Sequence, residues 1–183
     1  MALTRIGPNQ SINLASNVTG TLPTANGGTG ATSFAPGKVL QVAYGTIGTA
    51  VSVSSNTYTD AGFTTSITPT ATDNHIYLNW FMPDNRKETN NTNMNMKIYR
   101  QVNGGGYSAL VQITGAFLYS ADSATVSAGS TGVYKDTTYN STAQVDYKIY
   151  FNSGQNNAKV SSNKDSASES GICLLYTSDA ADE

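Results

Sequence analysis

The stretch His75-Ile-Tyr-Leu-Asn-Trp-Phe-Met82 decides the fold class of this chain. Its residues alternate between two faces, one carrying Ile76, Leu78, Trp80 and Met82 and the other carrying Tyr77, Asn79 and Phe81. Alternation with a period of two is typical of a β-strand, and apolar residues on both faces indicate a strand that is buried on both sides. We therefore predict that His75–Met82 is the central strand of a sheet.

A β-hairpin is predicted downstream of this strand, in Ile98-Tyr-Arg-Gln-Val-Asn-Gly-Gly-Gly-Tyr-Ser-Ala-Leu-Val-Gln-Ile113. Two alternating runs flank Asn103–Gly106, whose residue types accept the positive φ angles of a tight turn. Asn103–Gly106 is therefore expected to reverse the chain.

Further short segments alternate in the same way and are separated by turn residues. They are Lys38–Tyr44, Ala50–Ser54, Ala61–Thr68, Met96–Val102, Tyr107–Ile113, Phe117–Ser120 and Val145–Phe151. Many short strands at this spacing predict an all-β, antiparallel β-sandwich or jelly-roll-like domain, which we assign to residues 37–172. The composition agrees, since Gly, Ser, Thr, Asn and Tyr outnumber the residues that fill helices.

Residues 1–36 differ from the rest because apolar residues are isolated among small polar ones, as at Ile12, Leu14, Val18 and Leu22. One such chain could not offset a backbone ordering cost of roughly 1–2 kcal/mol per residue, whereas several copies winding together could bury these groups against each other. The segment is predicted to be an extended, Gly/Thr-rich stalk. A flexible linker is the alternative.

A strongly polar stretch, Pro83–Asn95, lies between strand signals and predicts a long exposed loop. Long loops on rigid β scaffolds often carry binding. The candidate receptor-binding residues are Asn85, Arg86, Lys87, Asn90 and Asn91.

Several kinds of chemistry find no support in the sequence. Charged residues make up 12% of the chain and the net charge is −2, so there is no basic surface for nucleic acid. Asn26–Gly30 lacks the Lys-Ser/Thr that follows in a phosphate-binding loop. The one histidine, His75, is interpreted as a turn residue, and no metal, cofactor or catalytic residue is predicted. No stretch has the roughly 20 apolar residues of a membrane span, so no membrane insertion is expected.

Acidic and aromatic residues complete the set of candidates. No carboxylate pair suited to glycoside hydrolysis stands out among Asp60, Asp84, Glu88, Asp122, Asp136, Asp146 and Glu169. Tyrosine suits both sugar stacking and wet interfaces, and it is frequent: Tyr99, Tyr107, Tyr119, Tyr134, Tyr139, Tyr147 and Tyr150. Most of these are expected to be half-buried sheet residues. Trp80 is interpreted as a core residue because Ile76, Leu78 and Met82 share its face.

Two motifs carry a family resemblance. N-L-A-S-N-V-T-G-T-L-P-T-A-N-G-G-T-G at Asn13–Gly30 and P-G-K-V-L-Q-V at Pro36–Val42 resemble phage tail-fibre proteins, in which such a connector precedes a G-K-V-L-Q-V strand. Thr57–Pro69 and the hairpin are similar to later parts of the same family. The resemblance implies a homotrimer in the virion, made in the host cytoplasm, that contacts other tail proteins and a glycan or protein receptor on the host surface.

The last residues, Cys173-Leu-Leu-Tyr-Thr-Ser-Asp-Ala-Ala-Asp-Glu183, resemble translated sequencing-adapter DNA and contain the only cysteine. The family commonly has an apolar final strand after a stretch like Asp165–Ile172. We therefore expect a metagenomic fragment in which 173–183 is a non-native tail that contributes little to the core, and in which pairing, if any, is confined to Leu174–Thr177.

Together these observations predict a non-enzymatic virion structural protein, a tail-fibre component that contributes to host attachment. The alternatives are a carbohydrate-binding module without a virion role and a polysaccharide depolymerase.

Overall fold

The computed structural model describes residues 39–164 and 170–177. The regular secondary structure of these residues consists entirely of strands. The strands are β1 (Val39–Ile47), β2 (Val51–Val53), β3 (Thr59–Asp60), β4 (Thr65–Ile67), β5 (His75–Lys87), β6 (Thr92–Val102), β7 (Ser108–Ser120), β8 (Val126–Asp136), β9 (Val145–Ser153), β10 (Val160–Ser162) and β11 (Ser170–Thr177). The predicted stalk, residues 1–36, lies outside the described residues.

The strands form two antiparallel sheets, which we name after their central strands. The β5 sheet has the order β1-β11-β5-β10-β2, with β8 pairing along the other edge of β5. The β9 sheet has the order β3-β9-β6-β7, and β4 also pairs with β9. The all-β sandwich predicted from the alternating segments is therefore confirmed.

The core lies between the sheets and follows the period-two alternation of their strands. Its fully buried side chains include Ile76, Leu78 and Met82 from β5, Met94, Met96 and Ile98 from β6, Tyr147, Ile149 and Phe151 from β9, and Ile172, Leu174 and Tyr176 from β11. Each large apolar side chain buried in this way contributes about 1.5–3 kcal/mol to folding.

Strand β5 is central, as predicted, because it pairs with β8 on one side and with β11 and β10 on the other. Trp80 is confirmed as a core residue. The prediction that both faces of this strand are buried was wrong. Asn79 is exposed and Phe81 is 57% exposed, because the β9 sheet covers only the face that carries Trp80.

The predicted hairpin is confirmed, with β6 ending at Val102 and β7 beginning at Ser108. Asn103 and Gly104 have φ angles of 54° and 69°, the left-handed conformation that their residue types favour. The two segments predicted as Tyr107–Ile113 and Phe117–Ser120 belong to one strand, β7, whose register shifts near Ala116. Ala116 also has a positive φ, 53°, so the strand is irregular where the sequence indicated a break.

The prediction of a long exposed loop at Pro83–Asn95 was wrong. Strand β5 runs on to Lys87 and β6 begins at Thr92, which leaves a short turn. Pro83 is tolerated because it lies in a register shift between β5 and β8, where no ladder hydrogen bond is needed.

The side-chain nitrogens of the two fully buried polar residues in this extension, Asn85 and Lys87, have partners. The Asn85 side-chain amide donates to the Met82 and Ala128 carbonyls, and the Lys87 ammonium donates to the Ser120 and Asp122 carbonyls at 3.2 and 2.8 Å. Polar residues are tolerated inside a protein when hydrogen bonds replace their contacts with water. Polarity therefore did not mark exposure here.

The expectation that the tail contributes little to the core was also wrong for the described part of it. Strand β11 lies between β1 and β5 and pairs with both. Leu174 and Tyr176 are fully buried. Their alternation continues that of Ile172, so the segment meets the pattern that this position in the sheet requires. Whether these residues derive from adapter DNA stays a prediction.

Candidate functional site

The five residues predicted to bind a receptor do not share one surface. Asn85 and Lys87 are fully buried. Arg86 is half-buried, and its guanidinium lies 3.5 Å from the Asp84 carboxylate. Only Asn90 and Asn91 are exposed, at the turn between β5 and β6. The structure therefore leaves two residues of this candidate site open to a partner.

A different surface, the outer face of the β9 sheet, gathers aromatic and charged side chains. Alternation along β6 and β9 buries Ile98 and Ile149 and turns their neighbours outward. On that outward face Tyr99 is paired in register with Lys148, and Lys97 with Tyr150. Tyrosine and lysine therefore alternate both along and across these strands.

Four tyrosines form what we call the tyrosine cluster: Tyr58, Tyr99, Tyr107 and Tyr150. Tyr99 and Tyr150 are closest, with ring centroids 4.1 Å apart and planes tilted by 30°. Tyr58 lies 6.4 Å from Tyr99, and Tyr107 lies 6.4 Å from Tyr150. All four side chains are half-buried, so the cluster presents aromatic surface to solvent from a framework of paired strands.

Two ammonium groups lie against the cluster. Lys97 Nζ is 4.5 Å from the centre of the Tyr58 ring, and Lys148 Nζ is 4.9 Å from that of Tyr107. These distances are those of cation–π contacts. Lys148 also forms an ion pair of 2.6 Å with Asp60, and this hydrogen bond raises the pKa of the lysine.

Burial raises the pKa of three phenols of the cluster, those of Tyr58, Tyr107 and Tyr150, above the usual value for tyrosine. The phenols therefore remain protonated at neutral pH and are able to donate hydrogen bonds. The cluster can offer a ligand apolar ring surface, hydroxyl donors and a cation.

Among the acids that the structure describes, Asp136 is the most thoroughly buried, and it serves a structural purpose. Its carboxylate accepts hydrogen bonds from Arg100 at 2.7 Å and from Tyr147 at 2.7 Å, and from the Thr138 backbone N–H at 2.8 Å. Arg100 and Tyr147 lie on β6 and β9, whereas Asp136 ends β8, so this group links the two sheets. All of its oxygens are engaged, which leaves no acid here for a substrate.

Other chemistry-bearing residues remain dispersed. His75 is half-buried at the start of β5, where its ring is 6.4 Å from that of Tyr77. Within residues 39–164 and 170–177, no group of three or more His, Cys, Asp or Glu side chains could hold a metal ion. None of the described residues forms a helix long and apolar enough to cross a membrane.

The structure divides the tyrosines singled out in the sequence. Tyr139 and Tyr147 are in the core, and Tyr134 is half-buried against it on β8. Tyr119 is exposed away from the cluster, and Tyr99, Tyr107 and Tyr150 come together. Tyr58 was missed because it precedes a strand of only two residues and lies in no alternating run. The alternation of Lys97 and Tyr99 along a predicted strand was the available signal for an outward-facing pair.

No protein-family model matches the chain, and no curated protein matches it. Three solved structures are similar in part. Eiger TNF from S. frugiperda is 13% identical with a TM-score of 0.40, over 79% of this chain and 97% of that one. A structure titled "CBM4 structure and function" is 11% identical with a TM-score of 0.28, over 73% and 92%. An exo-beta-1,3-galactanase from Phanerochaete chrysosporium is 13% identical with a TM-score of 0.24, over 79% of this chain and 30% of that one. All three similarities are distant, and nothing about function follows from them.

Proposed function

We propose that this chain is a non-enzymatic attachment module of a phage tail fibre, which binds a glycan of the host surface through its tyrosine cluster. The observation that supports this function best is the cluster itself, four half-buried tyrosines and two lysines on the outer face of the β9 sheet. The tail-fibre role is supported by the motifs at Asn13–Gly30 and Pro36–Val42.

The chemistry of the cluster suits a sugar. A pyranose ring has C–H faces that pack on aromatic rings, and its hydroxyls donate hydrogen bonds to phenols and accept them from phenols and ammonium groups. Tyrosine supplies this surface at a small entropic cost because it has only two side-chain torsions. The rings of Tyr99 and Tyr150 are also held by the paired strands β6 and β9, so these two rings need little ordering on binding.

The acids near the site favour binding over catalysis. Asp60 is held by Lys148 at 2.6 Å, and the buried Asp146 accepts a hydrogen bond from the Gln144 side-chain amide at 2.7 Å. A glycosidase needs two carboxyl groups free to act on one glycosidic bond. Neither of these acids is free in that sense.

We also propose that the module assembles as a homotrimer. Its support is an exposed apolar face on the β5 sheet, formed by Val42, Tyr44, Phe81 and Val133, which are 58%, 67%, 57% and 64% exposed. Val42 and Tyr44 belong to β1, which is an edge strand of this sheet. Strand β1 follows residues 1–36, the predicted stalk in which several copies of the chain wind together. A second copy is therefore the occupant we assign to this face.

The binding function is tested by adsorption of the purified protein to host envelopes and by a glycan array, comparing Tyr99→Ala and Tyr150→Ala with wild type. We expect each substitution to weaken binding about tenfold, or roughly 1.4 kcal/mol. Tyr119→Ala is the matched control, because it removes an exposed tyrosine outside the cluster.

Three outcomes would contradict the proposal. Unchanged binding by both cluster variants would exclude the cluster as the site. Loss of binding in Asn90→Ala or Asn91→Ala alone would move the site to the turn between β5 and β6. If the protein binds a glycan strongly and its gene lies far from any baseplate or fibre gene, a carbohydrate-binding module outside the virion would be favoured.

A further inference from the structure

The two lysines of the tyrosine cluster differ in their electrostatic surroundings. Lys148 is neutralised by Asp60 at 2.6 Å, and Asp146 lies two residues away on the same outward face of β9. Lys97 takes part in none of the ion pairs formed within residues 39–164 and 170–177. The positive charge of the cluster is therefore concentrated at Lys97, beside Tyr58.

Lys97 is held in place although no acidic side chain in the described part of the chain pairs with it. Its ammonium lies 4.5 Å from the centre of the Tyr58 ring, and its backbone is paired with Tyr150 on β9 and with Gln112 on β7. The contact with the ring orients the side chain and leaves hydrogen-bond donors of the ammonium for a ligand. This is an arrangement that would recognise an anion next to a sugar ring.

We propose that the cluster binds an acidic polysaccharide, with an anionic group of the sugar paired to Lys97 and the sugar ring packed on the tyrosines. The inference rests on the proposed glycan-binding function and adds the class of ligand. A carboxylate and a phosphate would satisfy Lys97 by the same chemistry, so both are included in the test. Such charge-assisted hydrogen bonds are stronger than neutral ones, yet a half-exposed pair remains sensitive to salt.

The test measures binding to polygalacturonate, which carries carboxylates, to a phosphomannan, which carries phosphates, and to carboxyl-reduced polygalacturonate, which is neutral. The variant is Lys97→Met, which keeps the aliphatic stem and removes the charge. The matched control is Lys135→Met, because Lys135 also lies against a tyrosine, 5.9 Å from the Tyr77 ring, but on the other sheet.

We expect wild type to bind at least one acidic probe about tenfold more tightly than the neutral one, with the preference falling as salt is raised. Lys97→Met should abolish that preference, and Lys135→Met should retain it. Thermal unfolding of both variants should match that of wild type, because neither side chain is in the core.

The outcomes separate this inference from the function beneath it. Binding to neither acidic probe, or equal affinity of Lys97→Met and wild type for an acidic probe, would overturn the acidic ligand. If Tyr99→Ala still lost binding to a neutral glycan in that case, the proposed function would stand without it. If the cluster substitutions changed binding to no probe and to no host envelope, both proposals would fall.

Discussion

At the scale of single residues, the buried carboxylate of Asp136 is where polar chemistry matters most to the fold. It is fully buried, and its partner Arg100 has a side chain that is only 17% exposed. A buried charge that loses its partner keeps its desolvation cost without compensation. Asp136, Arg100 and Tyr147 therefore stabilise the contact between the two sheets only when all three are present.

We predict that Asp136→Ala lowers the free energy of unfolding by about 3–5 kcal/mol, because it leaves Arg100 unpaired and removes the acceptor of the Tyr147 hydroxyl. Urea denaturation measures the change. Asp122→Ala, at an exposed position, is the control and should shift stability by about 0.5 kcal/mol at most. Similar small changes in both variants would show that the buried group contributes little.

The same carboxylate predicts a dependence of stability on pH. Burial raises the pKa of Asp136, but hydrogen bonds from Thr138, Arg100 and Tyr147 outweigh it and lower the pKa below the ordinary 3.8. Its stabilising contribution is therefore complete above the unfolded value and is lost as pH falls through the lower, folded value. The midpoint of unfolding, measured at a series of pH values, should therefore decrease as the pH is lowered below about 4. The midpoint of the Asp136→Asn variant should decrease less over this range. Parallel curves of midpoint against pH for the variant and wild type would contradict the assignment.

At the scale of elements, β11 shows what the sequence pattern could and could not predict. The alternation of Ile172, Leu174 and Tyr176 made pairing possible, but the resemblance of this stretch to adapter sequence argued against a part in the core. In the structure the Tyr176 hydroxyl accepts hydrogen bonds from the Thr70 and Ala71 backbone N–H groups at 2.9 and 2.8 Å. Burial alone would raise the pKa of Tyr176, but hydrogen bonds from the Thr70 and Asn74 side chains, together with those from the two backbone N–H groups, lower it.

We predict that Leu174→Ala lowers the free energy of unfolding by about 2–5 kcal/mol, because Leu174 is fully buried between the sheets. Leu175→Ala is the matched control, since the neighbouring leucine faces outward and is half-buried. It should cost clearly less in the same denaturation experiment. Equal effects would mean that β11 does not pack as described.

The strands that the sequence missed lack strong alternation. Strand β8 consists largely of small or polar residues, and Gly132 in it makes room for Trp80, whose ring a Cβ would overlap. Strand β10 has only three residues, Val160–Ser162, although all three are buried. Hydrophobic periodicity cannot identify a strand whose face is made of glycine and serine, whereas β5 and the hairpin of β6 and β7 carried enough large apolar residues to be predicted.

At the scale of the whole molecule, the sandwich was predictable and the tyrosine cluster was not. Fold class follows from local alternation, which each strand carries within itself. The cluster joins Tyr58, Tyr99, Tyr107 and Tyr150 from four separate segments, and their proximity depends on the pairing of β3, β9 and β6. Pairing partners so far apart in the chain cannot be read from one sequence.

We predict that the exposed apolar face of the β5 sheet drives association of copies of the chain. Sedimentation at micromolar concentrations should show a trimer for wild type and a shift toward monomer for the double variant Phe81→Ser with Val133→Ser. Both side chains are more than half exposed, so the fold of the monomer should be retained. Tyr119→Ser is the control. A wild-type monomer throughout this range would contradict the assembly.

The pairing of Val39 with Thr177 places the first described residue of β1 beside the last of β11. The start of β1 and the end of β11 therefore lie side by side at one end of one sheet, a geometry that tolerates circular permutation. A short linker could join these two ends while new ends are opened at the exposed turn Asn90–Asn91 between β5 and β6. The sandwich could then be fused to another protein through the new ends, with the outer face of the β9 sheet left intact.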